Sequence, residues 1–258
     1  MKVPDRIALV TGGGRGIGRA IALAFAREGA HVAVTARTSS ELDAVAAEVR
    51  ALGRKALAVP CDVGDRTQVD DAVRRVTEHL GRVEILVNNA GIAVSAKLLE
   101  TDEDLWERHL RINLTGAFFM TRAVLPGMLS ARWGRVINIA SIAGRQGYPY
   151  ITAYTASKHG LLGLTRALAQ EVVTAGVTVN AICPGYVATD LTWAGARNIQ
   201  ERTGRTYDEA VRSLAAHSPQ KRLIEPEEVA AVAVLLASDE GRGVTAQAWN
   251  VDGGTVQA

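Results

Sequence analysis
The sequence predicts an α/β fold, a single doubly wound parallel sheet of about seven strands with helices on both faces. Three observations carry that expectation. Short apolar runs recur near 6–10, 31–36, 56–60, 84–88, 134–140, 177–182 and 246–251. Helical patterns of roughly a dozen residues or more separate them, which is what a crossover between parallel strands requires. A glycine cluster stands at the first strand-to-helix junction, and residues capable of chemistry follow strand ends, where open α/β sheets bind ligands. The 258 residues are 48% hydrophobic, enough for one ample core, and no repeat, low-complexity tract or linker divides them. A single domain spanning 1–258 is expected.

In chain order, Arg6-Ile-Ala-Leu-Val10 reads as a buried strand running into Thr11-Gly-Gly-Gly-Arg-Gly-Ile-Gly18 and then a helical pattern. Glycines 12, 16 and 18 allow a tight turn, close approach of a pyrophosphate and packing of the helix on the sheet. Gly12, Arg15, Gly16, Ile17 and Gly18 are therefore read as a dinucleotide-binding turn. The second strand ends Thr35-Ala36-Arg37, without the carboxylate that would bind the ribose 2′-hydroxyl of NAD. The first carboxylate is Glu41, and Thr38-Ser39-Ser40-Glu41 fits a capping box at a helix start. Arg37, with Arg15 and Ser39, is left to grip a 2′-phosphate, so NADP(H) is the preferred cofactor. NAD(H) stays open, since exposed arginines are ordinarily just solvated.

Asp62 and Val63 follow the third strand, and Asn89-Ala90-Gly91 the fourth, where small residues let the chain pass close to a ligand. The Asn89 side chain can tie neighbouring loops. Asn113 falls in the next helical stretch. Ser141 follows the fifth strand, and 13 residues beyond it Tyr154-Thr-Ala-Ser-Lys158 sets a phenol and an ammonium on one helix face. An ammonium beside a phenol favours the phenolate, so Lys158 is expected to lower the pKa of Tyr154. Ser157 and His159 turn away from that face and are given no role. Pro184-Gly185 follow the sixth strand. The long interruption after them, about 186–225, reads as a substrate lid. Tyr148, Tyr186 and Trp193 are candidates for an apolar pocket wall and equally for packing.

Composition excludes other classes. The longest apolar run, Val229 to Ala237, is too short for a membrane span, and the N-terminus leads into the first strand without a signal segment, so a cytoplasmic protein is expected. Cys61 and Cys183 lack C-x-x-C spacing and read as buried thiols. Five scattered histidines form no zinc pattern, so no metal is expected. A formal charge of +2 with both signs interspersed argues against a nucleic-acid surface and for small-molecule partners.

Five signatures in order give the chain a likeness over essentially its whole length. They are Thr11-Gly12-x3-Gly16-x-Gly18, Asn88-Asn89-Ala90-Gly91, Asn113, Ser141 with Tyr154-x3-Lys158, and Pro184-Gly185 with Thr189. In these the chain resembles the short-chain dehydrogenase/reductase family, which has a Rossmann-type fold. Gln146-Gly147 through His159 and Val244 to Ala248 look similar to bacterial 3-oxoacyl and polyketide ketoreductases. The resemblance implies that Asp62 and Val63 lie beside adenine, although Asp62 alone reads equally as a turn residue. It implies that Pro184 and Gly185 wall the nicotinamide, with Val187 and Thr189 next to it; Thr189 also reads as a helix cap. Asn113 resembles the family residue that supports a water relay to the lysine. A homotetramer is likewise implied.

The reaction expected is hydride exchange between a nicotinamide and a carbonyl or carbinol carbon. Tyr154 is the acid in reduction, Ser141 orients the substrate oxygen, and Lys158 holds the ribose while tuning the phenol. The first expectation is NADPH-dependent reduction of a 3-oxoacyl thioester, on coenzyme A or acyl carrier protein, or of a related ketone. An NAD-dependent alcohol or 3-hydroxyacyl-CoA dehydrogenase and a non-catalytic nucleotide sensor are the alternatives.

Overall fold
Both faces of the central strands are apolar, so the sheet needs helices on each side. In the computed structural model, which describes residues 1–257, β1 (Ile7–Thr11), β2 (His31–Ala36), β3 (Ala56–Pro60), β4 (Ile85–Asn88), β5 (Gly134–Ile139), β6 (Val177–Pro184) and β7 (Ala248–Val251) form one parallel sheet. Its order is β3-β2-β1-β4-β5-β6-β7. Alternation along the strands divides the core. Ala8, Val10, Val32 and Val34 pack with α1 (Gly16–Arg27), α2 (Ser39–Ala51) and α9 (Pro226–Ala237). Leu9, Ala33, Leu86 and Val136 face α3 (Arg66–His79), α5 (Gly116–Ala131) and α6 (Thr152–Val172). The seven strands expected from the sequence are all present.

The chain builds β1 to β3 outward in one direction, then returns to lay β4 on the other side of β1. That reversal opens a crevice at the carboxyl ends of β1 and β4, the place where such sheets take dinucleotides. Cys61 and Cys183 are buried free thiols. Among the described residues no helix is long and apolar enough to cross a membrane.

Three local details differ from the sequence reading. The capping box at Thr38 does not form: Thr38 is the N-cap of α2, but its side chain makes no cap bond. Glu41 instead leans over the glycine turn, its Cβ 2.9 Å from where a Cβ on Gly14 would stand. The helical stretch holding Asn113 is not continuous α-helix. It runs α4 (Glu103–Leu110), a π-helical turn (Arg111–Thr115) and α5. The long interruption after β6 is a helical hairpin, α7 (Asp190–Thr203) and α8 (Tyr207–Ala215), packed on its own small core of Ala196, Ala210 and Leu214. Thr206 and Glu209 close a reciprocal capping box at the start of α8, a T-x-x-E signal that would have revealed this helix in the sequence. A bridge between Val187 and Ile224 joins the two ends of the hairpin.

Candidate active site
β1 delivers the chain into the glycine turn, where Gly12 and Gly16 have φ of 61° and 52°, backbone that L side chains rarely adopt. A Cβ on Gly18 would lie 2.2 Å from the Gly12 carbonyl oxygen and 2.6 Å from Asn89 Nδ2. α1 begins with no side-chain cap and no acidic residue in its first turn. Its leading N–H groups are thus left for an outside acceptor, and a dinucleotide pyrophosphate fits both the donors and the side-chain-free cradle. Asn89 binds the two strand ends together: its amide donates to the Thr11 and Gly12 carbonyls at 2.9 and 3.1 Å. Ala90 N–H donates to Thr11 Oγ1 at 3.0 Å. Gly18→Ala is expected to cost about 1–3 kcal/mol through overpacking and to weaken dinucleotide binding; thermal melts and fluorescence titration with NADPH measure both.

The groups expected around the rest of the cofactor separate into free and engaged ones. Arg37 is exposed after β2, without a hydrogen bond or ion pair among the described residues, and Ser39 is exposed beside it. Arg15 is engaged, 3.2 Å from Asp190 and 3.8 Å from Glu41. Asp62 takes its turn role, Oδ1 accepting from Gly64 N–H at 2.8 Å, and Val63 is buried against Gly116. Gly185 N–H donates to Val251 O at 3.0 Å, fixing Pro184-Gly185 at the end of β6. Val187 is buried, and its carbonyl accepts from Thr192 Oγ1. Thr189 precedes α7 but does not cap it with its side chain; its methyl instead lies 3.2 Å from where a Cβ on Gly16 would stand.

β5 and α6 bring the chemical groups together. Ser141, two residues past β5, caps a short helical turn, its Oγ accepting from Ala143 N–H at 3.1 Å and leaving the hydroxyl proton to donate elsewhere. Tyr154 and Lys158 lie one turn apart on α6, with Nζ 5.7 Å from the ring centroid. Lys158 is buried and its Nζ donates to Ile139 O at 2.7 Å. Burial pushes the Lys158 pKa down to about 8. Burial also pushes the Tyr154 phenol up, while a hydrogen bond with Ser141 opposes the rise. The expectation that Lys158 would lower the tyrosine is therefore not met: loss of water around both groups disfavours both charges. A phenol kept protonated is suited to giving a proton to an alkoxide.

Asn113 sits at the centre of the π-helical turn, fully enclosed, with Oδ1 accepting from Ile92 N–H at 2.8 Å. Its amide donates to Ile92 O and to Ser157 Oγ, both at 3.0 Å. Ser157 Oγ in turn donates to Tyr154 O at 2.7 Å. Ser157, given no role from the helical wheel, thus couples Asn113 to the helix that carries Tyr154. A Cβ on Gly91 would stand 3.2 Å from Asn113 Oδ1 and 3.6 Å from Lys158 Nζ, so the end of β4 borders the same centre.

Of the residues proposed for the substrate wall, Tyr148 is partly exposed and accepts from Gln146 Nε2 at 2.7 Å. Tyr186 packs in the lid core, its ring 5.4 Å from that of His217. Trp193 lies on α7, partly buried. His109, unremarked in the sequence, is buried with its ring edge-on to Tyr154 at 6.5 Å.

Comparison with known proteins agrees with this geometry. A short chain dehydrogenase family model matches residues 6–200. The chain is 40% identical to a 3-oxoacyl-[acyl-carrier-protein] reductase of Synechocystis, over 97% of each chain. It is 38% identical to a D-beta-hydroxybutyrate dehydrogenase of Cupriavidus necator, over 97% of this chain and 98% of the relative. Among solved structures, an actinorhodin polyketide ketoreductase variant crystallised with NADPH superposes with a TM-score of 0.94, at 39% identity and 97% coverage of both chains.

Proposed function
The chain belongs to the short-chain dehydrogenase family of oxidoreductases acting on CH–OH groups, and from that premise we propose that it reduces a 3-oxoacyl thioester or related ketone with NADPH. The observation that carries the reading is the half-buried Tyr154 phenol one helical turn from the buried Lys158, whose Nζ lies 5.7 Å from the ring centroid, with Ser141 following β5. The nicotinamide, when bound, supplies the hydride. Ser141 orients the substrate oxygen and Tyr154 gives its proton to the alkoxide. Lys158, through its charge and its place between Gly91 and Ile139, holds the ribose side of the crevice. Asn113 and Ser157 hold α6 and the end of β4 in register, and Asn113 supports proton resupply to Lys158.

Cofactor choice rests on Arg37, just after β2, a guanidinium without a partner among the described residues. Arg37→Ala is expected to weaken NADPH binding about tenfold or more while leaving NADH binding unchanged, since a bidentate phosphate contact is worth more than one hydrogen bond. Fluorescence titration with each nucleotide measures it; equal loss for both would remove the phosphate assignment. Glu41, freed from capping and placed against the glycine turn, favours a second reading, NAD-dependent oxidation of a 3-hydroxyacyl substrate. Oxidation of 3-hydroxybutyrate with NAD faster than thioester reduction with NADPH would select it. A cytoplasmic location, expected from the sequence, and a homotetramer, implied by the resemblance, belong to the main reading. Sedimentation as a monomer at micromolar concentration would remove the tetramer.

A further inference from the structure
The segment after β4 runs from Gly91, beside Asn113 and Lys158, to Ala96 at Tyr150, and alternate residues along it are pinned. Ile92 is held through both backbone groups by Asn113. Val94 N–H donates to His109 Nε2 at 3.1 Å, and Ala96 N–H donates to Tyr150 O at 2.8 Å. His109 and Asn113 lie four residues apart on one helical stretch, so one side of that stretch holds two of the three points.

The tautomer of His109 follows from its partners. Nδ1 is 2.8 Å from Leu105 O, and a carbonyl only accepts, so Nδ1 carries the proton. Nε2 is left as the acceptor that Val94 needs. Burial holds the imidazole below its ordinary pKa, with the bond to Leu105 opposing that and Arg108 adding to it, and the Val94 N–H aimed at Nε2 leaves that nitrogen no place for a second proton. The same ring meets Tyr154 edge-on.

We propose that His109 is a positioning residue for ketone binding: its neutral imidazole fixes the Val94 amide, and with it the 92–96 segment, against the face of the helix that carries Tyr154. An apolar residue here would fill the space but leave the Val94 N–H without an acceptor and the segment free to move. The inference rests on the ketone–alcohol chemistry of the family and not on which ketone is the natural one.

The test compares wild type, His109→Leu and His109→Gln with acetoacetyl-N-acetylcysteamine as substrate, or cyclohexanone should the thioester not turn over. His109→Leu is expected to raise KM for the ketone about tenfold, the equivalent of one lost hydrogen bond, with kcat and NADPH affinity much less affected. His109→Gln, which can accept from Val94 and donate to Leu105, is expected to recover most of that loss. Unchanged KM in His109→Leu would overturn the proposal. So would equal impairment of both variants accompanied by lost NADPH binding, the result of mere core disruption. Long-range proton–nitrogen NMR of the imidazole needs no substrate, so it separates failure of this proposal from failure of the thioester reading. Protonated Nδ1 and bare Nε2 are expected, and the opposite tautomer or an imidazolium at pH 7 would contradict the proposal.

Discussion
Tyr154→Phe is expected to lower ketone reduction by about 10²–10⁴-fold, the usual worth of a positioned general acid, and to leave NADPH affinity unchanged. Burial pushes the phenol's pKa up, which favours the protonated form that a general acid needs. Phenylalanine preserves the ring, and therefore the edge contact with His109, while removing the proton. The loss should fall on kcat, because the proton is given in the transition state and not on substrate binding. Stopped-flow oxidation of prebound NADPH measures it directly. A variant that retained full activity would place the acid elsewhere.

Lys158→Met is expected to abolish activity and at the same time to stabilise the cofactor-free protein. Lys158 is buried, and its pKa falls from 10.5 to about 8 because water is lost around the ammonium. That shift corresponds to about 3 kcal/mol of strain at neutral pH. Losing the bond to Ile139 O returns about 1–2 kcal/mol of it, leaving a net gain on the order of 1–2 kcal/mol. The unfolded chain binds the proton more tightly than the folded one. The cost is therefore full below about pH 8 and disappears as pH rises toward 10.5. Melting curves of both proteins at pH 7 and pH 10 should show the variant more stable at the lower pH and the two converging at the higher. A destabilised variant at pH 7 would mean that Lys158 is held by more than Ile139.

Much of this was legible in the sequence because it is encoded locally. The strands were visible as short apolar runs at crossover spacing, and the glycine turn as residues that no side chain can replace. Tyr154 and Lys158 were visible because four residues on a helix bring side chains together wherever the helix packs. What escaped depends on partners distant in the chain. Glu41 fits a capping box in sequence, but in the fold it lies against Gly14 and within reach of Arg15, so the box does not form. The pKa of Tyr154 was expected to fall because spacing shows the neighbouring charge, whereas burial, which spacing does not show, moves it the other way. Ser157 looks inert on a helical wheel; its role appears only because the π-helical turn swings Asn113 toward it. His109 lacks any motif, and its meaning lies in Val94 and Leu105, one of them across a loop.

The most direct test of the central claim is the initial rate of acetoacetyl thioester reduction by purified protein, with NADPH and NADH at equal subsaturating concentrations. The account predicts turnover, faster with NADPH. Faster turnover with NADH, or none with either nucleotide, would contradict it.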